Sequence, residues 1–204
     1  ITLSGIASGL TRNREIGAVV SVNMNHIPVN DIKSYWPASL GKVNRAFVLN
    51  SISSGDLRNL NLDTVFSIRK DGSLKASLVD FVAEMDGIEV KSLYPNFIVK
   101  DIIGKLKFSL KESIINLKSG KLKNLDLVDG KVLLSGFDQI DQIAVIKLKI
   151  IGAVSEKINF IKTHSINLTT NLKNFSNVIK GEAETKLDAS FNLGGDLNLE
   201  NIIF

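Results

Sequence analysis

The chain has 204 residues, 25 Lys+Arg against 21 Asp+Glu, a formal net charge of +4 and 44% hydrophobic residues. That much apolar surface offsets the entropy of ordering and excludes intrinsic disorder. The absence of Cys excludes a disulfide framework, a thiolate nucleophile and a Cys-ligated metal site, and basic residues interleaved with acidic ones speak against a nucleic-acid surface.

Alternation of apolar and polar residues dominates the chain, as in strands with one buried face. Ile16, Ala18, Val20, Val22 and Met24 form the first such set. The segment from Asn30 to Asn50 then breaks the pattern and reads as helical. Asn30 is placed as an N-cap, Pro37 opens a second piece, and Leu40, Val43 and Phe47 share a face. Alternation resumes with Leu60, Leu62, Thr64, Phe66 and Ile68, and again with Leu106, Phe108 and Leu110. The register changes between Leu122 and Leu125, so a bulge or break is expected near Asn124. Ala144, Ile146, Leu148 and Ile150 alternate with Lys147 and Lys149, a short helix is expected around 155–161, and Leu187, Ala189, Phe191 and Leu193 close the series. Asp71-Gly72, Asp86-Gly87, Asp129-Gly130 and Gly194-Gly195 supply the positive φ of tight hairpin turns. The expected fold is mainly β: roughly ten strands in one long antiparallel sheet, curled to cover its apolar face, with one or two short helical insertions.

No run of about 18 apolar residues is present; the nearest, 143–154, carries Lys147 and Lys149. The chain starts at Ile1 rather than Met, which suggests a piece of a longer protein. Chemistry-bearing residues are sparse. His26 and His164 have no partner motif nearby, and Asp138 and Asp141 read as loop carboxylates. Asn124, Asp126 and Asp129-Gly130 lack the spacing and terminal Glu of a calcium loop, while Asn167 and Asn174 head acceptor tripeptides expected by chance in an Asn-rich chain. No nucleophile elbow, phosphate loop or dinucleotide fingerprint occurs. The expectation is a non-enzyme with no catalytic residue, cofactor or metal; a hydrolase would need an unrecognised triad.

One pattern is more specific. Tyr35-Trp36-Pro37 precedes Arg45-Ala46-Phe47 and then Ser53-Ser54-Gly55-Asp56, and the run from Val178 to Thr185 leads into an alternating strand. These residues resemble a segment of the AsmA-like envelope proteins, particularly the YhdP-type branch, with Phe47 standing where many relatives have Trp. The resemblance gives Tyr35, Trp36, Pro37, Arg45, Phe47 and Gly55 a structural role. It implies that 1–204 is a single β-rich segment of a larger AsmA-like protein, with a helical insertion at about 30–50. Such proteins are bridge-like lipid transporters of the Gram-negative periplasm, tethered to the inner membrane by a segment elsewhere and passing phospholipid toward the outer membrane through a β-groove. The expected partners are phospholipid acyl chains, with both membranes reached through other segments and no nucleic acid. Leu106, Phe108, Leu110, Ile146, Leu148, Ile150, Leu187 and Phe191 are the expected groove lining. Two other readings stand beside it: these residues close on one another as a solid core, or the chain is a structural or adhesive β-solenoid without a ligand, for which strict short repeats are missing.

Overall fold

The computed structural model describes residues 1–8, 16–36, 42–68, 73–91, 97–139, 141–164 and 180–192. They form nine strands: β1 (Thr2–Ser8), β2 (Ile16–Pro28), β3 (Ile52–Ile68), β4 (Leu74–Lys91), β5 (Ile98–Ser109), β6 (Glu112–Leu122), β7 (Leu125–Ser135), β8 (Ile143–Ala153) and β9 (Glu182–Asn192). The strands pair in chain order, every neighbour antiparallel, in one open sheet that does not close into a barrel. The protein is mainly β, as its alternation implies.

Register carries the sequence pattern across the whole sheet. Residues directly opposite share a face, so pairing places Leu3, Val22, Leu62, Phe81, Phe108, Ser113, Leu134, Ala144 and Phe191 in one row across all nine strands. This is the inner face, apolar but for Ser113. On the outer face, one row reads His26, Arg58, Glu84, Lys105, Asn116, Lys131, Lys147 and Asp188. Slipping any strand by one residue would bury these charges, which is what fixes the register. Cross-strand pairs tie the outer face: His26 Nε2 lies 2.7 Å from Asp56 Oδ1, Arg58 Nε donates to Asp86 Oδ2 at 2.6 Å, and Lys147 meets Asp188 at 3.2 Å. Each exposed pair contributes at most about 1 kcal/mol. Together they offset like-charge neighbours such as Asp56 opposite Asp86.

A crease of irregular residues crosses the sheet. Asn59 on β3, Gly87 on β4 and Asp101 on β5 have φ of 49°, 63° and 52°, each beside a shift in register. Asn, Asp and Gly are the residue types that tolerate this conformation. The extra residue changes strand parity, so Ala83 and Met85 before the shift and Ile88 after it are all buried. Bulges also bend a strand and raise its twist.

Asp86-Gly87 is therefore a bulge inside β4, not the hairpin turn expected from its sequence. Asp129-Gly130 likewise lies within β7, where Gly130 faces Leu117 and Leu148. The tight turns fall elsewhere. Leu110-Lys111 joins β5 to β6, with Ser109 Oγ accepting the N–H groups of Lys111 and Glu112. Lys123-Asn124, with Lys123 at φ 54°, joins β6 to β7 where only a bulge or break was anticipated. Asp71-Gly72 and Gly194-Gly195 lie outside the described residues, as do Leu193 and the acceptor sites at Asn167 and Asn174.

The insertion between β2 and β3 is helical, as its sequence suggests. A 3-10 turn (Val29–Asp31) leads into α1 (Ile32–Tyr35), and α2 (Lys42–Ser51) returns to β3. Asn30 is not the cap: the turn begins one residue earlier, after Pro28, without a side-chain capping bond. Between β8 and β9, α3 (Val154–His164) extends further than the sequence suggested. It opens with Glu156 in its first turn, favourable to the helix dipole, and buries Ile158. Lys157 Nζ anchors α3 by donating to the carbonyls of Ile150 and Ala183 and to Thr185 Oγ1.

On the outer face, Ser53 Oγ donates to Glu89 Oε1 at 2.7 Å and Lys100 sits 3.3 Å from the other oxygen. The Ser53 hydrogen bond, aided by Lys100 and opposed by partial desolvation, holds the Glu89 carboxyl below its ordinary value. A depressed carboxyl pKa contributes stability above the unfolded-state pKa, and this contribution is lost as pH falls through the folded value. Ser53→Ala is expected to move the Glu89 titration upward in a carboxyl-detected NMR titration; an unmoved midpoint would assign the shift to Lys100 instead.

Candidate functional site

The inner face is not uniform along the strands. At the end where β2 gives way to the insertion, Ile27, Val29, Leu57, Ile88, Ile102, Leu122, Leu125 and Leu127 form a buried core, with Ile88 only 2% exposed. Phe97 and Phe160 of α3 pack against it and meet edge to face at 5.6 Å between ring centroids. A cleft of about 40 Å³ beside the β6–β7 turn, lined by Leu122, Leu125, Glu156 and Phe160 among others, has room for water-sized groups only.

Beyond this core the inner face mixes half-buried large side chains with buried small ones, among them Ser113, Ala144 and Ala189. Register brings Ile146 opposite Val132 and Ala189, and Leu148 opposite Gly130 and Leu187. Phe191 continues the strip opposite Ala144. The row Met85, Gly104, Leu117, Gly130, Leu148 alternates large and small residues across five strands. A Cβ on Gly130 would collide with the Leu148 side chain, so glycine here leaves room for leucine on a curled surface.

The expected lining residues thus separate into groups. Leu106 and Ile150 pack on the edge of the buried core. Phe108 lies in an aromatic cluster, 6.3 Å from Trp36 and 5.9 Å from Phe137. Ile146, Leu148, Leu187 and Phe191 share the half-buried strip on β8 and β9. Leu110 is in the β5–β6 turn and 36% exposed, at the rim rather than on the strip. Among the described residues a buried core lies at one end of the inner face and a half-buried apolar strip lies beside it.

Two of the motif residues, Trp36 and Arg45, meet in space. Arg45 of α2 donates from Nε to the Trp36 carbonyl at 3.0 Å and from its terminal nitrogen to the Lys33 carbonyl at 3.2 Å. Gly55 lies inside β3 at φ 107°, against the Gly87 backbone. Tyr35 is exposed, and Pro37 and the Phe47 side chain lie outside the described residues. Phe137, which sequence reading passed over, is held by its N–H donating to the Lys111 carbonyl at 3.1 Å. Its loop position between two strands gave no periodic signal.

Of the polar candidates, His26 is paired to Asp56 on the outer face, and Asp138 and Asp141 are exposed in the β7–β8 connection. Asn124, Asp126 and Asp129 are spread over a tight turn and the strand after it. Among the described residues no group of three or more His, Asp or Glu is arranged to hold a metal ion. No described helix is long and apolar enough to cross a membrane. No protein-family model, curated protein or solved structure matches the chain.

Proposed function

We propose that this chain is a non-enzymatic lipid-binding or lipid-conduit segment that holds phospholipid acyl chains on the inner face of its curled sheet. The supporting observation is the half-buried strip of Ile146, Leu148, Leu187 and Phe191, an apolar surface in an open sheet whose opposite face is charged. Each acyl methylene removed from water contributes about 0.8 kcal/mol, so fifteen contribute on the order of 12 kcal/mol. Unaided passage of such a chain through water is correspondingly slow. A trough lowers that barrier by keeping the tail dry while the headgroup stays solvated, and it needs shape and apolarity rather than a reactive constellation. With the resemblance to AsmA-like proteins, this reading places the segment in the periplasm, joined to the inner membrane through another part of a larger protein and passing phospholipid toward the outer membrane.

Native mass spectrometry of the purified protein, with lipid extraction and a photo-crosslinker at Leu148 or at outward Lys147, tests the reading. Co-purifying phospholipid that crosslinks from position 148 and not from 147 is the expected result. A folded protein with no lipid and no crosslink would overturn it and favour a scaffold without ligand.

A further inference from the structure

The insertion after β2 does not hang from the sheet edge; it crosses the inner face. Val29 is buried in the core, Ile32 packs against it, and Trp36 reaches Phe108 on β5, past β3 and β4. Phe137 also lies 5.9 Å from Phe108, so rings from three separate segments gather around one position of the inner row. The apolar row continues beneath, through Phe81, Leu62 and Val22. The half-buried strip on β8 and β9 and the strapped region on β2 to β5 are two parts of one surface.

We infer that residues 29–36 form a strap across the acyl path, with Trp36 the residue against which a chain held on the β8–β9 strip abuts, and Arg45 the clip that fixes the end of the strap to α2. The inference rests on the lipid-binding reading and adds a stop to it. An acyl chain advancing across the strands from β9 toward β1 meets the Trp36–Phe108–Phe137 cluster, and further travel requires the strap to lift. Arg45 ties the end of the strap to α2 through two carbonyls, those of Lys33 and Trp36, so the strap lifts only if these bonds break or α2 moves with it.

Trp36 is the only Trp in the chain, which makes it a built-in probe. The protein is loaded with a phosphatidylcholine carrying one dibrominated acyl chain or with its unbrominated counterpart, and occupancy is read by native mass spectrometry. Bromine quenches indole on contact, so the brominated complex is expected to lose most of its Trp36 emission and the unbrominated one to keep it. Equal emission from two complexes of equal occupancy would overturn the strap while leaving lipid binding intact. Failure of either lipid to bind would overturn the underlying reading itself. Arg45→Ala removes both clip bonds and is expected to raise acyl-chain crosslinking from a photo-crosslinker at Val22, on the far side of the strap, roughly tenfold; an unchanged yield in a folded variant would overturn the role given to Arg45.

Discussion

Gly55→Ala is expected to destabilise the protein by about 3 kcal/mol, whereas Gly87→Ala should cost only about 1 kcal/mol. Both glycines have positive φ, at 107° and 63°, and they face each other across β3 and β4. They differ in the space around them. A Cβ on Gly55 would lie 2.5 Å from the Gly87 carbonyl oxygen and 2.6 Å from the Ile88 Cα, both backbone atoms of a paired strand. A Cβ on Gly87 meets nothing within 4 Å. The first substitution therefore adds a backbone collision to the conformational cost, and relief would push β4 and buried Ile88 outward. The second adds the conformational cost alone, in the less strained left-handed region. Urea unfolding of both variants measures the difference, provided the slope with denaturant is unchanged. Equal midpoints would mean that β3 and β4 are not in close contact at this crossing.

These two glycines also mark where sequence reading stopped. Alternation alone located the inner face, because a period of two admits few other structures and each charged residue on the outer row penalises a slip. Asp86-Gly87 was legible as a demand for positive φ, and that demand is met. Whether such a residue sits in a turn or a bulge depends on the strand beside it, which a local dipeptide does not encode. The same holds for Lys123-Asn124, a turn written without glycine. Gly55 was recognisable only through a resemblance, yet its need is physical: no side chain fits against the Gly87 backbone. The candidate strip was partly legible for a related reason. Periodicity put Leu106, Ile150, Leu148 and Leu187 on one face, but only the packing of α3 and the insertion decides which of them is covered. Covering elements come from distant sequence, and Phe137 reaches Phe108 from a connection with no pattern at all.

Leu148→Asn combined with Leu187→Asn is expected to abolish most lipid retention and leave the fold intact. The two leucines are opposite one another on β8 and β9, and both are half-buried, so their replacement opens no enclosed cavity. The stability cost of exposing amides at a partly solvated surface is about 1 kcal/mol or less for each. The loss to a bound chain is larger. Each leucine removes apolar contact from an acyl tail and substitutes a polar group that the tail leaves without a hydrogen-bond partner, so the pair should cost about 2 kcal/mol or more of binding, roughly thirtyfold in affinity. Two comparisons give the result its meaning. Leu117→Asn, in the row with Leu148 but buried beneath its neighbours, should unfold the protein at a cost above about 3 kcal/mol. Lys147→Asn, on the outer face of the same strand, removes an exposed ion pair with Asp188 and should change neither lipid retention nor stability by more than about 1 kcal/mol. Lipid retention is read by native mass spectrometry at matched protein concentration, and folding by the thermal midpoint. A stably folded double variant that keeps its lipid would remove the β8–β9 strip from the acyl path. A double variant that unfolds as Leu117→Asn does would mean that the strip is core after all, closed from water by contacts that half-exposure conceals.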